Sequence, residues 1–142
     1  LKYKTIGGRT VYGNGGIMPD IFVSKDTLGF TPFYNRVVNE GFIYEFAFQY
    51  VDTNRNKLLK LKTPQNLNSY LKKQGLYNQF VAFADKKGVK RKPLQVQKSR
   101  AIIETLLYAF IARDLFGDDA FYPIFNKDDN CIKVAIKELS KK

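Results

Sequence analysis

Apolar residues recur every three or four positions through most of the chain, which is the spacing that gives an α-helix one buried face. Two of the runs open with a threonine and a proline, a helix cap followed by a residue suited to the first helical position, at Thr31-Pro32 and Thr63-Pro64. Glycines that end helical runs stand at positions 41, 75 and 88. The apolar stripes between these signals lie in residues 42–51, 67–71 and 76–84. Several helices are therefore predicted after residue 28.

The strongest helical pattern covers residues 95–116. Its apolar stripe is wide and includes several alanines, which predicts burial on several sides. Gly117 and Pro123 are expected to interrupt the chain after it, and Asp128 is placed to cap a last helix with apolar residues at helical spacing. The fold class that this pattern predicts is mainly α, a bundle of five or six helices.

The beginning of the chain has a different pattern. Its short β-prone runs are residues 3–6, 10–12 and 21–23. Gly7-Gly8 is a turn signal between the first two runs, and so small a piece does not form a stable sheet alone. We therefore expect a terminal strand segment, residues 1–27, which would complete the sheet of an upstream core, and a helical domain, residues 28–142. On this interpretation the chain, which begins at Leu1, is part of a longer protein.

The residue types that are absent exclude much chemistry. The 142 residues include no histidine, which removes Ser-His and Cys-His nucleophile pairs and any histidine base. Cys131 is the only cysteine, so it cannot form an intrachain disulfide or supply the ligands of a zinc site. Among hydrolytic mechanisms, a Ser-Lys pair or a purely carboxylate mechanism remains. We expect no cofactor and no metal. We also expect no membrane span, because the most apolar stretch, residues 42–51, is half the length required to cross a bilayer.

Positive charge is concentrated in the middle of the sequence. The net charge is +11, and residues 53–100 hold thirteen Lys/Arg against one acid, Asp85, which gives +12 for that segment. Such a segment is typical of a solvated surface or of a surface that contacts an acidic partner. Two binding alternatives stay open: a basic helical module that binds nucleic acid, and a membrane-surface contact through residues 86–92. The aromatic residues interleaved with the charges are Tyr70, Tyr77, Phe80 and Phe83. Their spacing is that of a helix core, which weighs against stacking on bases.

Two short motifs look like metal-binding or catalytic patterns. Residues 52–56 are similar to the first half of a calcium loop, but Lys57 stands where a glycine is needed and Thr63 where a bidentate glutamate is needed. A polar turn at the end of a helix is the preferred interpretation. Ser69 and Lys72 fit the Ser-x-x-Lys pattern, but the Ser-Asp-Asn and Lys-Thr-Gly motifs that accompany it are absent, so we interpret the match as chance.

Two clusters have simpler explanations than chemistry. The glycine-rich residues 13–16 lack the order of a phosphate or dinucleotide loop, and they predict a tight turn or the close approach of a neighbouring group. Carboxylates that could bind a metal or act as acid and base are Asp118, Asp119, Asp128 and Asp129. Helix capping accounts for these aspartates more simply. The sequence therefore yields no catalytic, cofactor-binding or metal-binding residue.

A distinctive run covers residues 4–23. It contains Gly8-Arg9, a glycine-rich turn, the motif Gly16-Ile17-Met18-Pro19-Asp20 and a β-prone run. This order resembles the segment that follows the catalytic core in C-terminal processing peptidases, also called tail-specific proteases. Stretches similar to the helical tail of the bacterial branch of that family are residues 52–55, 109–114 and 120–124.

The resemblance implies a serine peptidase with a Ser-Lys dyad, in which a lysine of lowered pKa is the general base. Many members also carry a PDZ domain that binds the C-terminus of a substrate. In the family's order, the PDZ domain, the serine and the lysine all precede the Gly-Arg motif, so we expect all three to be missing here. No catalytic residue is carried over, and the chain alone is expected to be inactive.

The same resemblance implies a role and a setting. The role expected of this region is to pack on the protease core, to shape the access of substrates, or to support a homodimer. Its implied partners are the upstream core and PDZ domain of the same polypeptide, and the unfolded or tagged proteins that the parent cleaves. The implied localisation is the periplasm or the cell envelope.

Overall fold

The computed structural model describes residues 1–13, 15–16 and 19–141. Within these residues, a β-hairpin is followed by seven helices, so the chain is mainly helical, as its sequence predicts. The strands are β1 (Lys2–Lys4) and β2 (Thr10–Tyr12). The helices are α1 (Pro32–Asn39), α2 (Phe42–Leu59), α3 (Pro64–Lys72), α4 (Leu76–Lys86), α5 (Pro93–Phe116), α6 (Asp118–Phe125) and α7 (Asn130–Leu139).

Helix α5 is the centre of the bundle. Helices α1, α2, α3, α4 and α6 all pack against its 24 residues, which is why its apolar stripe is wide. The buried residues of α5 include Ile103, Leu107 and Ile111. Fully burying a side chain of this size contributes about 1.5–3 kcal/mol. The hydrophobic effect on α5 is therefore a principal reason why the other helices assemble around it.

The helix boundaries follow the local signals in the sequence. The side chains of Thr31 and Thr63 each accept a hydrogen bond from the backbone N–H three residues further on, and a proline occupies the next position in both cases. Gly41 and Gly75 have φ values of 72° and 62°, a left-handed conformation that glycine adopts without strain. The predicted starts of α1 and α3, and the glycine breaks before α2 and α4, are confirmed.

The prediction that residues 52–56 form a turn is wrong, because α2 continues through them to Leu59. Polar side chains inside the helix bond to carbonyl groups one turn back: Thr53 Oγ1 to Gln49 O at 2.9 Å and Asn54 Nδ2 to Tyr50 O at 2.9 Å. Leu58, which is fully buried, continues the apolar stripe beyond the polar run. Its burial holds the last turns of α2 in place.

Two expectations near the end of the chain are also wrong. Pro123 lies inside α6, where its missing N–H removes one hydrogen bond, while Ala120 and Ile124 pack on the core and hold the helix. The cap of α7 is Asp129, which accepts a hydrogen bond from Ile132 N at 3.0 Å, and not its neighbour Asp128. The bundle consequently has more helices than the five or six predicted.

The hairpin pairs β1 and β2 in antiparallel register, with Tyr3 opposite Val11. Residues 21–23, predicted as a third strand, form none. Gly13 lies against the ring of Tyr3, where an added Cβ would be 2.7 Å from Cε2, so the expected close approach is confirmed at this glycine. Part of the predicted glycine turn and of the family motif lies outside the described residues, at Asn14, Ile17 and Met18. No helix in the described ranges is long and apolar enough to cross a bilayer.

Candidate functional site

Most of the apolar side chains that the structure describes before residue 29 are exposed to solvent. Phe22 is 83% exposed, and Ile6, Tyr12 and Ile21 are exposed as well. Among the described residues, no further strand pairs with either edge of the two-stranded hairpin in this segment, and a hairpin of this size is marginally stable in water. Free strand edges beside exposed apolar groups are the features of a segment that another sheet can extend.

An ion pair joins the two ends of the run that resembles processing peptidases in this segment. The guanidinium of Arg9 contacts the carboxylate of Asp20, and this hydrogen bond and the charge of Asp20 raise the pKa of Arg9. Both side chains are exposed, so the pair contributes little to stability. Its effect is geometric, because it brings the Gly-Arg pair close to the Pro-Asp pair.

A second apolar region, here called the aromatic surface, spans α2, α5 and α6. Its members are Tyr44, Phe48, Phe110, Phe121, Tyr122 and Phe125. The ring centroids of Tyr44 and Phe110 are 5.5 Å apart in an edge-to-face arrangement, and those of Phe121 and Phe125 are 5.2 Å apart and stacked. Four of the six side chains are about half exposed or more. A contiguous apolar patch on a protein surface is typical of a docking site.

A polar groove of about 410 Å³ lies between α2, α3 and α4. Its lining includes Tyr50, Lys57, Tyr70 and Phe83. Burial, and to a smaller extent the charge of Tyr70, raises the pKa of Tyr50 to about 12, and the ammonium group of Lys57 lies 5.3 Å from the centroid of the Tyr70 ring. Tyr50 is therefore protonated at neutral pH, which makes it unsuited to act as a base there.

The Ser-x-x-Lys pattern and the calcium-loop candidate do not form a catalytic or metal-binding arrangement in the described residues. Ser69 and Lys72 are both exposed on α3, without the burial that a general-base lysine needs. Residues 52–56, the calcium-loop candidate, are helical. In the part of the chain that the structure describes, no three His, Cys, Asp or Glu side chains are grouped to hold a metal ion.

The predicted aspartates have separate structural roles. Asp118 pairs with Arg113 at 2.7 Å, and Asp128 pairs with Lys133 at 3.4 Å. Asp118 also lies with Asp119 in the first turn of α6, where the helix dipole stabilises negative charge. The simpler explanation from the sequence, helix capping and dipole complementation, is confirmed for Asp118, Asp119 and Asp129. Asp128 is not the cap of α7, because Asp129 has that role.

One titratable group was missed by sequence reasoning. Oδ2 of Asp114 is buried and has no hydrogen-bond partner within the described residues. Burial raises the pKa of Asp114, while the charges of Arg55 and Arg113 lower it. The available signal was an aspartate in the last turns of a largely apolar helix, but its burial depends on the position of α2, which the sequence does not reveal.

The sequence pattern of a family of unknown function, DUF8443, matches residues 33–117, more than half of the 142 residues. The chain belongs to this family. No curated protein matches the chain, and no solved structure matches it.

The DUF8443 region runs from the second residue of α1 through the whole of α5, so it contains the central helix and the four helices before it. The hairpin, α6 and α7 lie outside it. The aromatic surface crosses its boundary, because Phe110 lies inside the region and Phe121 outside. The run that resembles processing peptidases, residues 4–23, precedes the DUF8443 match and is independent of it.

The Lys and Arg side chains of residues 53–100 are exposed, but the aromatic residues of this basic segment are buried or partly buried. Tyr77 and Phe80 are buried, and Tyr70 and Phe83 are partly buried against the core. Burial, partly countered by the charge of Arg100, raises the pKa of Tyr77 to about 12, and its hydroxyl donates to the carbonyl of Val96. Tyr77 and Phe80 belong to the packing of α4 and are not available to stack on nucleic-acid bases, whereas Tyr70 on α3 and Phe83 on α4 line the polar groove.

Proposed function

We propose that this chain is the non-catalytic C-terminal region of a C-terminal processing serine endopeptidase, and that it packs on the catalytic core of the same polypeptide. The observation that carries the proposal is the segment before residue 29. It combines the Gly8-Arg9 and Pro19-Asp20 pairs with free strand edges and exposed apolar side chains.

The free strand edges suggest how the first contact forms. A strand that is added to a sheet edge gains a row of main-chain hydrogen bonds, and its alternate side chains enter the layer below. Exposed residues of the hairpin, such as Tyr3 and Val11, would be covered in this way. The division into residues 1–27 and 28–142 stays a prediction of this proposal.

The aromatic surface is the proposed second contact. Half-exposed rings such as Phe48 and Phe125 would lose contact with water when the bundle docks on the core, and this burial would fix the bundle in place. A bundle held in this way could control which unfolded or tagged proteins reach the active site, or could support a homodimer. Location in the periplasm or cell envelope is part of the same proposal.

The proposal assigns no catalysis to this chain. Ser69 and Lys72, the two residues of the Ser-x-x-Lys pattern, are both exposed to solvent. The resemblance assigns the catalytic serine and lysine to sequence upstream. The alternative of a nucleic-acid-binding module is less well supported, because Tyr77 and Phe80 are committed to the core.

The test uses the protein encoded by the complete reading frame that contains this chain. We expect its upstream sequence to hold a serine and a lysine whose replacement by alanine abolishes cleavage of an unstructured reporter peptide. A form that ends after Val23 should lose stability, substrate range or oligomeric state. Absence of peptidase activity, or a truncated form that keeps all three properties, would contradict the proposal.

A paired surface variant tests the docking contact itself. Phe48→Ser with Phe125→Ser should lower the melting temperature of the complete protein much more than that of this chain alone. The matched control is Val38→Ser with Leu59→Ser, which also replaces two exposed apolar residues, but outside the aromatic surface. Equal effects of the two variants on the complete protein would argue against docking through the aromatic surface.

A further inference from the structure

The N-terminal ends of α1 and α5 lie together at one end of the bundle. The backbone N–H of Phe33 donates to Gln95 Oε1 at 3.1 Å, and Ser99 Oγ donates to the carbonyl oxygen of Gly29 at 3.0 Å. The residues just before α1 are therefore close to the loop before α5 and to its first turns. We call this region the basic end and define it by six exposed residues: Leu28, Lys90, Arg91, Lys92, Leu94 and Lys98.

Positive charge exceeds negative charge at the basic end, although the carboxylate of Asp26 lies beside Leu28 and accepts from its backbone N–H at 3.0 Å. Residues 86–100 hold seven Lys/Arg and no acid. Arg91 has a distant partner, Asp85, at 3.8 Å. Across residues 19–141, Lys90, Lys92 and Lys98 have no carboxylate within the 4.0 Å of an ion pair. The first turn of α5 also contains no acid, so the positive end of its dipole adds to the charge of these lysines.

The basic end also contains two solvent-exposed leucines. Leu28 is 84% exposed and Leu94 is 72% exposed, whereas the neighbouring Val89 is buried and anchors the loop. Exposure of single leucines is common, but Leu94 lies about one helical turn before Lys98 on α5, and Leu28 precedes Gly29, whose carbonyl accepts from Ser99. Leucine side chains enter the boundary between headgroups and acyl chains of a bilayer, while lysine and arginine stay at the level of the phosphates.

We propose that the basic end contacts the surface of an anionic lipid bilayer, with Lys90, Arg91, Lys92 and Lys98 at the phosphates and Leu28 and Leu94 inserted beneath them. Charge complementarity selects an anionic partner. The leucines favour lipid over nucleic acid, because a nucleic-acid surface offers phosphates and base faces, whereas the most exposed apolar side chains at this end, Leu28 and Leu94, are aliphatic and cannot stack on bases. The contact concerns the folded bundle and does not depend on peptidase activity.

The experiment is sedimentation of this chain with vesicles of mixed phosphatidylglycerol and phosphatidylcholine, and of phosphatidylcholine alone, at physiological ionic strength. Binding is expected only to the mixed vesicles. Lys90→Gln, Arg91→Gln and Lys92→Gln together should weaken it about 100-fold, because each cation near an anionic surface contributes roughly a fivefold gain in affinity. Leu28→Ser with Leu94→Ser should weaken it about tenfold or more.

The charge control is Lys57→Gln, Lys60→Gln and Lys62→Gln. It removes the same charge from the far end of α2, roughly 20 Å along that helix from Glu45, which pairs with Lys87. This control should bind almost as the unaltered chain does. Equal losses from both triple variants would show a response to net charge alone and would overturn the proposal. All replaced residues are exposed, and unchanged melting temperatures would show that the variants fold.

Two other results would assign the surface elsewhere. Binding to duplex DNA that survives Leu28→Ser with Leu94→Ser, together with no vesicle binding, would make the basic end a nucleic-acid contact. Loss of vesicle binding on Ile132→Ser with Ile136→Ser, with binding intact in the two leucine replacements, would assign the lipid contact to the exposed apolar face of α7. Either result overturns the proposal and leaves the proposed peptidase role unaffected.

Discussion

The hydroxyl groups of Thr31 and Ser99 lie 2.6 Å apart, although 68 positions separate them in the sequence. Both residues are buried. Ser99 donates its proton to the carbonyl of Gly29, so Thr31 must be the donor in the contact between the two hydroxyls. Thr31 also accepts from Tyr34 N at 3.2 Å as the cap of α1. One short chain of hydrogen bonds therefore caps α1 and attaches it to α5.

This network predicts a specific pattern of losses in stability. Ser99→Ala should lower the free energy of unfolding by about 1–2 kcal/mol, because it leaves buried polar groups without a partner. Thr31→Ala should cost somewhat more, about 1–3 kcal/mol, because the helix cap is lost as well. The double variant should cost less than the sum, which urea denaturation can measure. Strictly additive losses would show that the two hydroxyls do not act together.

The aromatic core predicts a contrast between two phenylalanines. Phe80 is fully buried and its ring meets Phe46 edge-to-face at 5.6 Å, whereas Phe48 is 49% exposed. Phe80→Ala should therefore destabilise the chain by about 3–5 kcal/mol. Phe48→Ala, the matched control, should cost under about 1.5 kcal/mol, since much of its ring already contacts water. Comparable costs in denaturant titrations would refute the assignment of Phe80 to the core.

Backbone conformation predicts that substitutions at two positive-φ positions differ in their effect on stability. Gly75 has φ of 62° and no atom near the position of an added Cβ, so Gly75→Ala should cost about 1–2 kcal/mol from backbone strain alone. Lys62 has φ of 60° although it carries a side chain, so Lys62→Gly should change stability by less than about 1 kcal/mol. Thermal unfolding of the two variants measures both. An unchanged melting temperature of the Gly75→Ala variant would contradict this prediction.

Asp114 predicts a stability difference that depends on pH. Its folded-state pKa lies above its unfolded-state value, because burial disfavours the carboxylate. Above the folded-state pKa, the native chain bears the full cost of burying the charge. Below the unfolded-state pKa, about 4, the group is protonated in both states and the cost disappears.

Asp114→Asn should therefore be more stable than the unaltered chain at neutral pH and almost equal to it near pH 3. The gain should stay under about 1 kcal/mol, because the carboxylate is partly exposed and is attracted by Arg55 and Arg113. Melting temperatures measured across this pH range provide the test. Asp52→Asn, which removes a carboxylate from an exposed position of α2, is the matched control.

The parts of the fold that could be predicted from the sequence are those set by neighbouring residues. The starts at Thr31-Pro32 and Thr63-Pro64 depend on a side chain and a backbone N–H three positions apart, and the break at Gly75 depends on its own φ angle. Such signals do not need knowledge of distant contacts. The starts of several helices and their order therefore followed from them, whereas the described residues contain seven helices and not the five or six predicted.

The errors and omissions involve contacts between distant parts of the chain. The polar run at residues 52–56 stays helical because Leu58 is buried among other helices, and α6 persists through Pro123 because Ala120 packs on the core. The aromatic surface and the buried oxygen of Asp114 each need side chains from more than one helix. Spacing along one helix cannot show which residues a second helix will bring near.

The central position of α5 also has a consequence for synthesis on the ribosome. Helices α1 to α4 precede α5 in the chain, yet each of them packs against it. As the polypeptide emerges, their apolar faces have no common partner until residues up to about 116 have been translated. Until α5 has emerged, the nascent chain can form only part of its packing, such as the contacts between α1 and α2 and between α2 and α4.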